Sequence, residues 1–141
     1  MRLRSATPED AAALIELWFE SWSSNGFDGP ADIREMMAER VPRELGGRWE
    51  VTVAEADGRL LGFLALAMAE QRLDQLFIAP DAQGQGVGAA LFAVAVARLP
   101  DGFWLATQVE NARARGFYER RGMVLDRFEE DRAYYRLVPI A

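Results

Sequence analysis

Three residue types that carry much of enzyme chemistry are missing from this sequence of 141 residues: cysteine, histidine and lysine. Without cysteine there is no disulfide, no thiolate nucleophile and no cysteine-based metal site. Without histidine the chain lacks the commonest general base and the commonest transition-metal ligand. All 16 basic residues are arginine, so neither Schiff-base chemistry nor a P-loop lysine is available. Acid–base chemistry must therefore use aspartate, glutamate, tyrosine, water or a terminus, and we expect no metal.

Long apolar runs are missing as well. No segment approaches the roughly 18 unbroken apolar residues that a membrane span needs, and the start, MRLRSATPED, lacks the apolar core of a signal peptide. We therefore expect a cytoplasmic protein with no membrane partner. The net charge of −6 argues against a nucleic-acid partner, which normally requires a basic surface, and is compatible with a cationic small substrate.

Apolar periodicity and turn signals predict a single domain over residues 1–141. Thr7 and Asp10 are typical of a helix start, and Asp57-Gly58 predicts a hairpin turn. The strand that follows is apolar on both faces, which predicts a central position in a covered sheet. The elements follow in the order β-α-α-β-β-β-α-β-α-β-β. This is an α/β (α+β) fold with a mixed central sheet of about seven strands and about four helices, the last three helices being expected at residues 31–44, 87–98 and 111–121.

Three glycines, Gly84, Gly86 and Gly88, lie at every second position around the start of the predicted helix 87–98. A plain strand-to-helix turn is one interpretation, but three glycines carry a larger entropic cost than such a turn requires. Clustered N–H groups at a helix N-terminus are a natural anion site, and the first turn holds no acidic residue that would occupy it. The pattern therefore predicts a bound diphosphate.

A dinucleotide loop is one possible source of that diphosphate. Its fingerprint G-x-G-x-x-G/A is matched by Gly84, Gly86 and Ala89, and Glu110 follows about 20 residues later, where a ribose ligand would lie. However, residues 80–83 separate the preceding strand from the first glycine, and too little chain remains for a dinucleotide fold. We therefore disfavour this hypothesis.

Residues 76–88, LFIAPDAQGQGVG, resemble the acetyl-CoA-binding segment of the GNAT superfamily of N-acetyltransferases. The signature R/Q-x-x-G-x-G/A is met by Gln83, Gly86 and Gly88. The second family signature, N-x-x-x-x-x-x-Y-x-x-x-G-F/M, is met by residues 111–123, NARARGFYERRGM. The predicted element order is also the GNAT order, so the resemblance implies a GNAT-type acyl-CoA N-acyltransferase fold over the whole chain.

The resemblance also implies acetyl-CoA as co-substrate. The glycine loop would hold its pyrophosphate, and the preceding strand would pair with the pantetheine arm where the family's sheet splays at a bulge and frees an N–H for the oxyanion. Tyr118 would act as general acid toward the departing thiolate, and Asn111, seven residues earlier on the same side of the helix, would bond the pantetheine arm. The implied coenzyme-binding residues are Leu76, Phe77, Ile78, Gln83, Gly84, Gln85, Gly86, Val87, Gly88, Ala89 and Asn111.

Both helix residues have a structural alternative. Asn111 is suited to a helix N-cap, and Tyr118 to core packing beside Phe117. The general base is open, because the strand before Asn111, LATQV, lacks the glutamate that many relatives place there. Asp74, near the expected splay, is the first candidate.

The acceptor site is the least defined part of the sequence. In this family the loop between the first two helices commonly shapes it, and the candidate substrate-binding residues are Trp22, Phe27, Asp28 and Gln108. Glu20 and Asp28 are candidates for attracting a cationic amine, or else are solvated surface residues. Strand alternation predicts that only one of Tyr134 and Tyr135 is buried.

The sequence thus predicts an N-acetyltransferase that transfers the acetyl group of acetyl-CoA directly to an acceptor amine, in a small molecule or at a protein N-terminus. Without cysteine no acetyl-thiol enzyme can form, so transfer would occur in a ternary complex. The alternative is a catalytically silent acyl-CoA-binding or sensing domain. We expect a monomer or a homodimer.

Overall fold

The computed structural model describes residues 1–24 and 32–139. Phe27 and Asp28, two of the candidate acceptor residues, lie outside the described residues. The described part of the chain holds seven strands and four helices in the predicted order, namely β1 (Arg2–Ser5), α1 (Ala11–Ser24), α2 (Ile33–Leu45), β2 (Trp49–Ala56), β3 (Arg59–Ala67), β4 (Arg72–Ile78), α3 (Val87–Arg98), β5 (Phe103–Gln108), α4 (Ala112–Arg120), β6 (Val124–Glu129) and β7 (Arg132–Leu137). Within these ranges no helix combines the length and apolarity needed to cross a membrane.

The first helix begins where the sequence predicts, with one refinement. The backbone N–H of Thr7 donates to the Asp10 carboxylate at 2.8 Å, and Arg4 donates two hydrogen bonds of 2.9 Å to the same group. These bonds lower the pKa of Asp10 to about 2. Residues Pro8–Asp10 form a 3₁₀ turn, and the α-helix proper starts at the next residue.

The seven strands form one sheet in the order β1-β2-β3-β4-β5-β7-β6. All neighbouring strands are antiparallel except β4 and β5, which are parallel and paired at a single position, Arg72 with Trp104. The sheet therefore splits beyond Arg72. Next to the split, Leu73 pairs with Leu66 and Gln75 pairs with Ala65, which leaves Asp74 as the extra residue of a β-bulge. The splay and the bulge that the family resemblance implies are both present.

Helices cover both faces of the sheet. One core cluster lies under α1 and α2, and the other lies under α3 and α4. Strand β3 contributes to both clusters, since Phe63 faces the first and Leu64 faces the second, each with 0% exposure. Its predicted central position is confirmed, and burial of successive side chains on opposite faces fixes its register.

Candidate active site

A cavity of about 420 Å³ lies where β4 and β5 separate. Its walls come from β4, the glycine loop, β5 and α4. The sequence-predicted residues that line it are Asp74, Leu76, Phe77, Ile78, Gln83, Gly84, Gly86, Gly88, Ala89, Asn111 and Tyr118. Residues more than 40 positions apart are thus brought into one cleft by the split in the sheet.

Four predicted residues lie away from the lining of this cavity. The Gln85 side chain donates to the carbonyl of Asp81 at 3.2 Å. The Val87 side chain is buried in the core beneath α3. Trp22 is half-buried against the core cluster of α1 and α2, and Gln108, at the end of β5, is paired with Arg132. In the described part of the structure, neither Trp22 nor Gln108 therefore lies against the cleft.

The backbone of β4 presents an unpaired edge to the cleft. The N–H of Ala79 donates to the carbonyl of Leu61 on the β3 side at 2.8 Å. Because successive N–H groups of a strand point to opposite sides, those of Ile78 and Leu76 point toward β5. Since β5 has moved away at this level, these two donors are available to an extended ligand.

The glycine loop opens the N-terminus of α3 toward the cleft. Gly84 has a φ of +80° and Gly86, the N-cap residue, has a φ of +84°. Both values lie in the left-handed region that favours glycine. In the part of the chain that the structure describes, no side chain caps this helix end, and its first turn holds no acidic residue. The N–H groups of the first turn are therefore left for an anion.

Gly88 is required for a different reason than the sequence suggests. A Cβ on Gly88 would lie 3.0 Å from Cε2 of Phe117 on α4, whereas a Cβ on Gly84 or Gly86 would meet no atom of the described residues within 4 Å. The first two glycines are thus explained by backbone conformation and access. Gly88 is explained by the close packing of α3 against α4.

Both interpretations of Asn111 are compatible with its place at the start of α4. Its Oδ1 accepts a hydrogen bond of 3.0 Å from the N–H of Ala114, so the N-cap interpretation is confirmed. The residue also lines the cleft. Because Asn111 caps the helix, α4 begins one residue later than predicted.

Tyr118 packs in the core and also lines the cleft. Its side chain is 7% exposed, and its ring centroid lies 5.3 Å from that of Phe117 and 6.4 Å from that of Phe92. Its hydroxyl has no hydrogen-bond partner among the described residues, and it is not sealed from solvent. Burial raises the pKa of the Tyr118 phenol above its ordinary value, so the group remains protonated at neutral pH.

Asp74, the candidate base, is held by a cluster of donors. Its side chain is 2% exposed. One carboxylate oxygen accepts hydrogen bonds from Arg40 at 2.9 Å, Arg48 at 2.9 Å and the Trp49 indole at 2.6 Å, and the Nε of Arg72 lies 3.4 Å from the other oxygen. These donors occupy the carboxylate and hold it in place. The contacts favour an electrostatic and structural role for Asp74.

A buried tyrosine connects α4 to the sheet behind the cleft. Tyr135 has 0% exposure, and Tyr134 on the opposite face of the strand is half-buried, so the alternation predicted from the sequence is confirmed. The Tyr135 hydroxyl donates to Oε2 of Glu119 at 2.5 Å and accepts from Nε of Arg115 at 3.0 Å. These two α4 residues are one turn apart and flank Tyr118.

Sequence reasoning missed three arginines of the cleft. Arg113, Arg120 and Arg121 all line it. The signal was present in their spacing, because Arg113 and Arg120 are seven residues apart on α4, as Asn111 and Tyr118 are. Because arginines on a helix surface commonly form exposed ion pairs, this spacing alone does not predict a function.

Comparison with known proteins identifies what the chain is similar to. A model of the Acetyltransferase (GNAT) family matches residues 11–123. The peptidyl-lysine N-acetyltransferase YjaB of Escherichia coli strain K12 is 33% identical over 134 residues, which span 92% of this chain and 86% of that protein. The protein of the same name from Salmonella typhimurium is 30% identical over 138 residues, spanning 93% and 89%.

Solved structures show the same fold. The PaiA N-acetyltransferase of Thermoplasma acidophilum, determined in complex with coenzyme A, aligns with a TM-score of 0.87 at 21% identity and covers 97% of this chain and 98% of its own. The solution structure of apo YjaB from Escherichia coli aligns with a TM-score of 0.75 at 25% identity, covering 99% and 97%. Similarity at this level extends over the split sheet and the helices that line the cleft.

Proposed function

Because the chain belongs to the GNAT family of acetyltransferases, we propose that it transfers the acetyl group of acetyl-CoA directly to an acceptor amine in a ternary complex. The observation that carries this proposal is the split between β4 and β5 beside the uncapped N-terminus of α3. The split offers a strand edge to the amides of an extended arm, and the helix end offers N–H donors to a diphosphate.

The chemistry of the cleft residues supports this choice of co-substrate. Of the N–H groups of Leu76 and Ile78, which face the split, one would bond the pantetheine arm and the other would remain for the thioester carbonyl oxygen. Gly84 and Gly86 bring bare backbone to the pyrophosphate, because each leaves open space where a side chain would be. When bound, acetyl-CoA supplies the thioester carbonyl that is attacked and the thiolate that leaves.

We assign Tyr118 as the residue that protonates the departing sulfur. It lines the cleft, and its phenol carries a proton throughout the neutral range. The acceptor nitrogen forms the new bond to the carbonyl carbon as the carbon–sulfur bond breaks. An N–H of β4 facing the split would stabilise the oxyanion that develops at the carbonyl oxygen.

The proton lost by the attacking amine is assigned to solvent rather than to Asp74. The arginines and the indole around Asp74 all donate hydrogen bonds to one oxygen of its carboxylate. Asp74 would instead hold the bulge of β4 in place through its contacts with α2, β2 and Arg48. The same contacts are the observation that favours the rival hypothesis, a silent acyl-CoA-binding domain, because they leave the cleft without a free carboxylate among the described residues.

A lysine side chain of a peptide or protein is the acceptor that we propose first. Both YjaB relatives are named peptidyl-lysine N-acetyltransferases. A small-molecule amine and a protein N-terminus are the competing acceptors, and the thiol-release assay described next distinguishes the three.

The test measures free thiol released from acetyl-CoA in the presence of peptides that contain a single lysine. The chain has no cysteine, so every thiol detected comes from the coenzyme, and it has no lysine, so every acetyl-lysine belongs to the peptide. We expect thiol release with the lysine peptide and none with a matched arginine peptide whose N-terminus is blocked. A free-amino-terminal peptide and a panel of small amines complete the comparison.

The variant Tyr118→Phe should lower kcat about 100-fold while the Kd for coenzyme A changes little, since only the proton donor is removed. Tyr134→Phe is the matched control, because Tyr134 lies on the face of β7 opposite to that of the buried Tyr135. Coenzyme binding without thiol release for any amine would contradict the transferase proposal and support the silent binding domain. A fully active Tyr118→Phe protein would refute only the role of Tyr118.

A further inference from the structure

The cavity at the split is lined from both faces of the sheet. Phe77 pairs with Phe63 and Gln75 pairs with Ala65, and both partners belong to the core cluster of α1 and α2. Residues directly opposite each other in an antiparallel pair point to the same face, so Phe77 and Gln75 face α1. Both line the cavity, as does Ser21 of α1 itself. The glycine loop and α4 line it from the other face.

Ser21 is the polar end of an otherwise apolar stripe on α1. The buried residues of this helix are Leu14, Leu17, Trp18 and Ser21, which recur on one face at helical spacing. Ser21 is 4% exposed, and its carbonyl accepts a hydrogen bond of 2.8 Å from the Ser24 hydroxyl. Its own hydroxyl has no partner among the described residues. Since an unpaired hydroxyl is unfavourable in a buried position, a ligand in the cavity is the partner that this serine lacks.

Gln75 presents a second polar group on the same side of the sheet. Its side chain is half-buried, lines the cavity and forms no hydrogen bond within the described part of the chain. The neighbouring Asp74 is the contrast, because its carboxylate is bonded to arginines and to the Trp49 indole. Of the polar side chains that α1 and β4 contribute to the described lining, Ser21 and Gln75 are therefore the two without a partner in it.

We propose that Ser21 and Gln75 bind the nitrogen of the acceptor amine. This inference rests on the proposed function, and it names the residues that recognise the acceptor. With the coenzyme on the side of α3 and α4, the acceptor reaches the thioester from the side of α1. A neutral primary amine has two N–H bonds and one lone pair. The hydroxyl oxygen of Ser21 and the amide oxygen of Gln75 each accept one N–H, which leaves the lone pair for the thioester carbon.

This arrangement selects primary amines over secondary amines. An N-methyl-lysine side chain has a single N–H when neutral, so one of the two oxygens stays unpaired in its complex. A site built to hydrogen-bond a substrate group discriminates against an analogue that lacks the group. Phe77, which lines the same side, offers apolar surface to the alkyl stem of a lysine.

The test compares a lysine peptide with the same peptide carrying N-methyl-lysine, by thiol release from acetyl-CoA. In Ser21→Ala and in Gln75→Met, we expect kcat/KM for the lysine peptide to fall about 10-fold, because each change removes one hydrogen bond to the nitrogen. The Kd for coenzyme A, measured by titration calorimetry, should not change. The preference for lysine over N-methyl-lysine should shrink in both variants. Gln75→Glu keeps an accepting oxygen and should retain most of the wild-type kcat/KM.

Ser23→Ala is the matched control, because Ser23 is exposed on α1 and should leave kcat/KM unchanged. Thermal melts check that each variant is folded, and Ser21→Ala removes only one heavy atom. Wild-type kcat/KM in Ser21→Ala and Gln75→Met would overturn the assignment, as would an equal loss of activity on both peptides. If the wild-type protein still releases thiol with the lysine peptide in that case, only the assignment fails. If the wild-type protein releases thiol with no amine, the proposed function fails with it.

Discussion

Tyr135 of β7 donates a 2.5 Å hydrogen bond to Glu119 of α4, the residue that follows Tyr118. The same hydroxyl accepts from Arg115, one turn earlier on the helix. One buried oxygen on the sheet thus fixes two successive turns of the helix that carries the proposed general acid. We infer that Tyr135 positions Tyr118 without touching the substrate.

Removing this hydroxyl should loosen α4 in a measurable way. In Tyr135→Phe, Glu119 and Arg115 lose a common partner, and we expect the free energy of unfolding to fall by about 1–3 kcal/mol. We also expect kcat to fall severalfold, because the proton donor Tyr118 is misplaced. The KM for acetyl-CoA should change less, because the residues that bind acetyl-CoA are intact. Urea unfolding and steady-state kinetics measure both. Tyr134→Phe is the control, and identical behaviour of the two variants would contradict the positioning role.

The contact between Gly88 and Phe117 predicts a coupled pair of substitutions. Gly88→Ala should destabilise the protein by about 1–3 kcal/mol, because its Cβ would crowd the Phe117 ring. In a Phe117→Leu background the same change should cost less, since the smaller side chain leaves room. A double-mutant cycle measured by urea unfolding gives the coupling energy. Strictly additive effects would show that the two helices do not meet through this contact.

Asp74→Asn distinguishes a structural carboxylate from a general base. Breaking a buried ion-pair cluster should lower the free energy of unfolding by about 3 kcal/mol, since three arginines each lose one carboxylate partner. Glu39→Gln, which breaks an exposed pair with Arg43, should change it by less than about 1 kcal/mol. A stable Asp74→Asn protein whose kcat falls about 100-fold would instead identify Asp74 as the base.

The buried phenol of Tyr118 predicts a loss of stability in alkali. Burial raises its pKa in the folded protein above the unfolded value of about 10. Above pH of about 10 the unfolded chain releases the Tyr118 proton while the folded protein still holds it. The contribution of the protonated phenol to the free energy of unfolding is therefore fully present below pH of about 10 and is lost as the pH rises through the folded pKa. Tyr118→Phe should therefore show a smaller fall in unfolding free energy from pH 9 to pH 11. If the free energy of unfolding depends on pH in the same way for the wild-type and Tyr118→Phe proteins, the raised pKa of Tyr118 is contradicted.

Features that depend on neighbouring residues could be predicted from the sequence. The order of the strands and helices follows from apolar periodicity, and the uncapped start of α3 follows from the spacing of Gly84 and Gly86. The N-cap role of Asn111 and the burial of one tyrosine in the pair 134–135 follow from equally local rules. Each of these depends on backbone geometry within a few residues.

Features that depend on distant segments could not be predicted in this way. Asp74 is paired with Arg40, 34 residues away, and with Arg48, 26 residues away, so the sequence shows a free acid where the fold holds a paired one. Gly88 is explained only once α3 is known to cross α4. The roles of Phe27 and Asp28 remain predictions.

The single backbone link between β4 and β5 has a mechanical consequence. Within the described residues, strands β1 to β4 and strands β5 to β7 form two plates whose backbones are hydrogen-bonded to each other only near Arg72 and Trp104. Away from that corner the plates are connected by side chains, including the ring of Phe117 against α3. A ligand bound between the plates contacts both of them. A ligand in the split therefore joins two halves of the sheet whose backbone pairing lies at one end of β4.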